Sequence, residues 1–381
     1  MNFDASEKRL TIIHTEASNG WGGQEIRILT ESRWFRGRGH RVLIGCVEDG
    51  ILYRKALEDG FEVKSFSFKK RTTLIDIIRL ARWFKKVKPD VVATHSSEDT
   101  WSGLVAGRIA RIPVLIRYRH VSVPIKPNLA NKVLYKKLCD CVITTASCIK
   151  EELTRLADVE ESRVKTIPTG IHPPAFTMDR EMARMGLAKT LNLPLNARFI
   201  GCVAVLRGWK GHRYLLEAFD AIAEKIPDYR LIIAGDGPAK EGLLMLREQL
   251  SHKEKIHFIG HQNDTFNLFW GFELAVLASV KNEGVPQSLL QAMFAGCPVL
   301  GTKIGGIPEI IKQGETGWLV EPNSAQSLAE GILNAITNYS ESKRMAENAL
   351  KFVNENFTLE KMGKTVEKTM YEFLTMRCGG K

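Results

Sequence analysis

The sequence predicts an α/β fold with two parallel sheets, and three observations lead there. Short apolar or β-branched runs alternate with helical patterns through both halves of the 381 residues, the pattern of successive βαβ units. A Pro- and Gly-rich segment, Ile167 to Phe176, separates the halves and reads as a hinge. A chain of this length can also fill two hydrophobic cores.

Taken in order, strands are predicted in the first half at Leu10–His14, Arg41–Val47, Glu62–Phe66, Asp90–His95, Pro113–Tyr118, Cys141–Ala146 and Val164–Pro168. Helical patterns separate them, so the strands run parallel with helices on both faces, and ligands should gather at their carboxyl ends. One of these helices, Leu74–Lys88, places Leu74, Ile77, Ile78, Ala81, Phe84 and Val87 on an apolar face, with Arg79, Arg82, Lys85, Lys86 and Lys88 around it. That stripe is expected to pack on the sheet. A helical stretch near Arg180–Leu191 leads into the second half, whose strands are predicted at Phe199–Leu206, Arg230–Gly235, Lys255–Gly260, Glu273–Leu277, Val299–Thr302 and Trp318–Val320. A last helix runs from Leu359 to about Met376.

Composition narrows the class. Apolar residues make up 44% and charged residues 25%, ordinary globular values that exclude wholesale disorder. No apolar run approaches the roughly 18 residues of a membrane span, and the N-terminus MNFDASEKRL is too polar for a signal peptide, so a cytoplasmic location is expected. The 7 cysteines are scattered without metal-ligand spacing, which points to reduced thiols and no zinc site. The net charge of +11 is uneven: 30 basic against 20 acidic side chains up to residue 175, and 24 against 23 after it. The first half therefore meets something anionic or is merely well solvated. Its basic sets are Lys69-Lys70-Arg71 with the Leu74–Lys88 helix, and Lys126, Lys132, Lys136 and Lys137 after the loop Val121–Leu129. They could hold the protein against anionic lipid headgroups. They carry no nucleic-acid recognition motif, and no nucleic acid is expected as a partner.

The densest stretch is NEGVPQSLLQAMFAGCPVLGTKIGGIPE, Asn282 to Glu309. Pro286 suits the first position of a helix that Gly296 and Pro298 end, so Glu283, Gly284 and Val285 stand where free N–H groups and the positive end of the helix dipole favour an anion such as phosphate. Gln291 lies further along the same helix, and Gly305-Gly306 lets backbone approach a ligand closely. Elsewhere, Gly22 and Gly23, followed by Glu25, open a helix after the first strand, as a turn or as a cradle for phosphate or sugar. His95 ends the fourth strand and His120 follows the fifth, as hydrogen-bonded edge histidines or as site groups. Arg207 and Lys210 lie between a strand and a helix, where two cations could converge on phosphate or simply face solvent. Asp236 caps a helix or touches a ligand.

EGVP, AGCPV and GGIPEII in register resemble the signature of glycosyltransferase family 4, in which a Glu after a strand is followed eight residues later by a second Glu. Here the second is Gln291. The segment around Ile167–Phe176 is similar to the family's interdomain P-N-G-I-D-x-x-x-F, and Gly22, Gly23 and Glu25 match its G-G-x-E. The resemblance spans nearly the whole chain and implies the GT-B architecture. Two Rossmann-like domains would face each other across a cleft, an acceptor-side domain at 1–172 and a nucleotide-sugar domain at 173–358, with the segment 359–381 returning as a helix to the first.

The resemblance also implies site roles. Glu283 would stand beside the donor sugar with Gly284, Val285 and Pro286, and His120 would face that sugar. Arg207, Lys210, Gly22, Gly23, Gly284 and Val285 would bind the donor phosphates. The family's Arg commonly stands five residues before the Lys, where this chain has Val205, so Arg207 takes the role only if a neighbouring position serves. Gln291 would hold the ribose by neutral hydrogen bonds, and Gly260 and His261 would lie near the base. No Asp-x-Asp motif accompanies these residues, so no metal or other cofactor is expected. The implied reaction is transfer with retention of configuration from a nucleoside diphosphate sugar to a glycan or lipid-linked acceptor, as in lipopolysaccharide or exopolysaccharide synthesis, by a cytoplasmic protein peripheral to the membrane. A nucleotide-sugar epimerase or hydrolase on the same architecture, and a non-catalytic nucleotide-sugar binder, are the competing readings.

Overall fold

The computed structural model describes residues 8–126 and 128–378. The polar N-terminal heptad, Pro127 in the Val121–Leu129 loop and the last three residues of the C-terminal segment lie outside the described residues. The chain divides into two compact units, residues 1–170 with 359–381, and residues 171–358.

The first unit holds seven strands: β1 (Thr11–Glu16), β2 (Arg41–Cys46), β3 (Glu62–Ser65), β4 (Val91–Thr94), β5 (Val114–Arg119), β6 (Cys141–Thr144) and β7 (Val164–Thr166). They pair in parallel in the order β3-β2-β1-β4-β5-β6-β7. All seven predicted strands are present, within a few residues at their ends. Because β1 is followed outward by β2 on one side and by β4 on the other, its carboxyl end and that of β4 flank the point where the winding reverses, the place where open α/β sheets bind ligands. Ile12, Ile44, Val91, Ile116 and Ile143 form the middle of the core. The helix Leu359–Cys378 completes that core with Met362, Val366, Met370 and Phe373. Polar contacts at its rim fix its register: Trp34 Nε1 donates to Glu360 at 2.8 Å, and His40 Nε2 meets Glu367 at 2.7 Å.

The predicted face of the Leu74–Lys88 helix holds in its C-terminal half, where Ala81 and Phe84 are buried, and fails in its N-terminal half at Leu74 and Ile78. The helix Thr73–Val87 buries Asp76, Leu80, Ala81, Trp83 and Phe84, while Leu74, Ile75 and Ile78 are 77%, 58% and 52% exposed. Asp76 explains the difference. Its carboxylate accepts the backbone N–H groups of Ser67 and Phe68 and the Thr72 hydroxyl, so a charged residue that periodicity assigns to solvent is held inside with Leu80 one turn on, and the apolar residues one and two positions from it face out.

The second unit holds β8 (Arg198–Val203), β9 (Tyr229–Ala234), β10 (Ile256–Gly260), β11 (Leu274–Leu277), β12 (Val299–Thr302) and β13 (Trp318–Val320), parallel in the order β10-β9-β8-β11-β12-β13. The winding reverses between β8 and β11. The core packs Ile200, Leu231, Ile233, Val276 and Leu300 against Leu215, Phe219, Leu328 and Ile332 from flanking helices. No helix among the described residues is long and apolar enough to cross a membrane.

Candidate functional site

In the second unit the loops that leave β8 and β11 are stitched together. Gly211, at φ +68°, lies so close to β11 that a side-chain carbon there would stand 1.9 Å from the Ala278 carbonyl oxygen, and Val280 N–H donates to the Trp209 carbonyl at 2.8 Å. Only glycine allows that approach. The stitching delivers Lys210, from one loop, to Glu283, from the other: Lys210 Nζ is 2.5 Å from Glu283 Oε1, and Ser279 Oγ donates to the same oxygen at 2.6 Å. Ser279 is held in turn, its carbonyl accepting from Thr302 Oγ1 at 2.5 Å. Glu283 is only 4% exposed, and its Oε2 has no hydrogen-bond partner among the described residues. One carboxylate oxygen is thus anchored and the other is presented.

Gly305 and Gly306 support the opposite side of that loop. A side-chain carbon at Gly305 would lie 2.2 Å from the Glu283 carbonyl oxygen, and one at Gly306 would lie 2.7 Å from the Gly284 carbonyl carbon. The GGIPE motif therefore packs backbone on backbone against Glu283-Gly284. The helix that follows Glu283-Gly284 begins at Gln287, one residue later than Pro286 predicted, and ends at Phe294. Val285 is buried, so its backbone is what it can offer a ligand. The side-chain amide of Gln291 makes no hydrogen bond to the described residues. Arg207 is exposed, its guanidinium 5.0 Å from the centre of the Trp209 ring, so it does not share the Lys210–Glu283 contact. Gly260 closes β10 at φ +69°, its carbonyl accepting from Gly235 N–H at 2.8 Å, and His261 beside it is exposed. Asp236 accepts from Lys240 at 3.1 Å and from Gly237 N–H at 2.8 Å, contacts that hold its carboxyl below the usual carboxylate range.

In the first unit the carboxyl ends of β1 and β4 carry a denser polar cluster than the sequence suggested. Glu16, fully buried, accepts from Ser18 N–H at 2.7 Å, from the Ser96 hydroxyl and from the Gln24 amide. Burial, with Asp99 and Glu25 nearby, pushes its carboxyl up to about 8. Asp99 accepts from Thr15 Oγ1 at 2.7 Å and from the N–H groups of His95 and Ser96 at 2.9 and 2.7 Å, yet burial still raises it to about 6. Gly22 N–H donates to Glu25 Oε2 at 2.8 Å, so the loop as folded already uses that donor, and Gly23 starts the following helix. His120 joins His95 and His14 in one row, with Nε2 of His120 2.9 Å from Nδ1 of His95 and Nε2 of His95 3.0 Å from Nδ1 of His14. Burial lowers the pKa of all three rings, so each is neutral near pH 7.

Two family profiles match, one on each unit: "Glycosyltransferase Family 4" over residues 21–173 and "Glycosyl transferases group 1" over residues 187–352. The chain belongs to the family-4 type of glycosyltransferases. Among relatives of this glycosyltransferase, an uncharacterized glycosyltransferase of Methanocaldococcus jannaschii is 30% identical over 58% of this chain and 57% of that protein, so the chain spans little more than half of it. The UDP-Gal:α-D-GlcNAc-diphosphoundecaprenol α-1,3-galactosyltransferase of Escherichia coli is 27% identical over 75% of this chain and 76% of its own. The crystal structure of Anabaena HepE in complex with UDP and glucose superposes with a TM-score of 0.84 at 20% identity, covering 96% of this chain and all of that one, and the fold is GT-B. Sequence reasoning missed Ser279, Thr302, His14, Glu16 and Asp99. Ser279, Thr302, His14 and Glu16 are isolated polar residues in or just after strands, and Asp99 lies in the first turn of the helix Ser97–Ala110; their contacts Thr302–Ser279, His14–His95, Ser96–Glu16 and Thr15–Asp99 join segments far apart in the chain, so no local pattern marks them.

Proposed function

We propose that this glycosyltransferase moves a sugar from a nucleoside diphosphate sugar to a lipid-linked or glycan acceptor, with retention of configuration and without a metal. The observation that carries the reading is the Lys210–Glu283 pair at the β8/β11 switch point, with one oxygen of Glu283 left unpartnered. Glu283 Oε2 is assigned to a hydroxyl of the donor sugar. Lys210, Arg207 and the backbone of Gly284 and Val285 are assigned to the diphosphate, whose charge grows as the sugar departs and must be stabilised there. Gln291 is assigned to the ribose, Gly260 and His261 to the base, and His120 to the reacting sugar. Uridine is the first base to test, because the Escherichia coli relative's name specifies UDP-Gal and the Anabaena structure holds UDP. The same relative's diphosphoundecaprenol substrate supports a lipid-linked acceptor and a role in surface-glycan synthesis.

Attachment to an anionic membrane belongs to the same reading. Leu74, Ile75 and Ile78, exposed on the Thr73–Val87 helix, lie beside Arg71, Arg82, Lys85 and Lys86, which are exposed as well. An apolar strip flanked by cations is the composition of a helix lying in a headgroup layer. The deciding experiment is a panel of nucleotide sugars scored by the rise in melting temperature, which follows ligand concentration over Kd, and then by nucleoside diphosphate release with and without a lipid-linked acceptor. Release that is equally fast without acceptor would make the protein a hydrolase instead, and conversion of the donor into an epimeric nucleotide sugar with no net release would make it an epimerase.

A further inference from the structure

We propose that His14 and His95 are positioning residues that hold His120 in the form protonated on Nδ1, so that the outward nitrogen of His120 is a fixed hydrogen-bond donor and not a base. The three rings come from β1 and from the loops that leave β4 and β5. Their two contacts join Nδ1 of one ring to Nε2 of the next each time.

Three neutral imidazoles carry three ring hydrogens, and each contact takes one of them. Two arrangements satisfy both contacts. In one, every hydrogen is on Nε2: His120 donates to His95, His95 donates to His14, and His14 is left with an N–H at Nε2. That atom is buried and has no partner. In the other, every hydrogen is on Nδ1: His14 donates to His95, His95 donates to His120, and His14 Nε2 is a bare lone pair. A buried donor without an acceptor is the rarer defect in folded proteins. The charges near His14 oppose one another, Glu31 raising its pKa and Arg27, paired with Glu31 at 3.3 Å, lowering it, so the buried donor decides. The second arrangement therefore holds, and it leaves the hydrogen of His120 on Nδ1. That nitrogen makes no contact with the described residues and is not among the buried, unpartnered atoms.

The surroundings keep the row in place. Tyr118 stacks on His95 with ring centres 4.5 Å apart and donates its hydroxyl to Glu31 at 2.6 Å. Thr145 Oγ1 donates to the His120 carbonyl at 2.9 Å. With Nε2 filled by His95 and Nδ1 protonated, His120 can offer a hydrogen to a sugar or phosphate oxygen but cannot take a proton from an acceptor. This rests on the reading of His120 as a substrate contact for its meaning to turnover, but not for its spectra.

The test is a long-range proton–nitrogen spectrum of the full chain with labelled histidine, recorded near pH 7.5 without ligand. His14, His95 and His120 should all show the Nδ1–H form, and an Nε2–H signature on His120 overturns the proposal. In a folded His95→Phe variant, which keeps a ring against Tyr118, His120 should shift toward the Nε2–H form that free imidazole prefers; an unshifted Nδ1–H spectrum would show that His95 does not set it. Turnover supplies a second reading that needs no change at His95. His120→Asn puts an amide nitrogen where Nδ1 stands and His120→Gln puts one where Nε2 stands, so the Asn variant should exceed the Gln variant in kcat/KM by about two- to tenfold, the size of one neutral hydrogen bond. The opposite order overturns the proposal. Absence of turnover in the wild type with every nucleotide sugar would refute the transferase reading and leave the spectra to decide the tautomers.

Discussion

Lys210 and Ser279 both donate to Oε1 of Glu283, from 2.5 and 2.6 Å, and leave Oε2 to a ligand. Glu283→Gln keeps the shape of the side chain but not its charge. It should lower kcat by about 10²- to 10³-fold, as loss of one preorganised electrostatic contact does, with an unchanged circular dichroism spectrum. Wild-type turnover in the folded variant would remove Glu283 from the site.

Lys210→Ala should weaken nucleoside diphosphate binding by about 1.5–3 kcal/mol, the range for a hydrogen bond to a charged group. It should also lower the melting temperature, because the buried carboxylate of Glu283 loses its cation. Calorimetric titration and a melting curve check the two parts separately. An unchanged titration would show that Lys210 serves Glu283 alone.

Gln291 stands where the family resemblance expects a carboxylate, and its amide is unoccupied. Gln291→Glu should tighten nucleotide binding by about 1 kcal/mol, the difference between a charged and a neutral hydrogen bond, and should do so for ribose but not deoxyribose nucleotides. Equal change for both would place the side chain away from the sugar.

The sheets and the Glu283 loop were legible in the sequence for one physical reason: their information is local. Strand alternation, Pro286, and the Gly305-Gly306 pair that packs against Glu283-Gly284 all lie within short windows. The His14–His95–His120 row was not, because its members are 81 and 25 residues apart along the chain and meet only once β1, β4 and β5 are side by side. The Thr73–Val87 helix shows a different limit. Periodicity counts Asp76 as a solvent residue, whereas three hydrogen bonds to its carboxylate bury it, with Leu74, Ile75 and Ile78 left facing out.

Glu16 makes a testable pH signature. Its folded pKa, about 8, is raised above the unfolded value near 4.5, so its contribution is fully present below about 4.5 and is lost as pH rises to about 8. The lowered histidines act oppositely, costing stability as pH falls below 6.5. Between pH 6.5 and 8 the Glu16 loss therefore runs without the histidine effect. Glu16→Gln should flatten the fall in melting temperature across that window, and an unchanged slope would place the carboxyl's titration elsewhere.

Vesicle sedimentation tests the Thr73–Val87 face. Changing Arg71, Arg82, Lys85 and Lys86 together to Glu should abolish binding to anionic vesicles, since each cation near such a surface contributes about 1 kcal/mol. Leu74, Ile75 and Ile78 changed to Ser should weaken it even at high salt, where the charges are screened. Binding indifferent to lipid charge, to salt and to both sets would leave this helix a solvated surface.

The most direct measurement is product formation from UDP-sugars and an undecaprenyl diphosphate-linked sugar acceptor, followed by mass spectrometry, for wild type and for Glu283→Gln at equal folded concentration. The account predicts an acceptor heavier by one sugar and stoichiometric UDP with the wild type, and little of either with the variant. UDP sugars that bind without ever extending an acceptor, or a Glu283→Gln variant that extends it as fast as wild type, would contradict it.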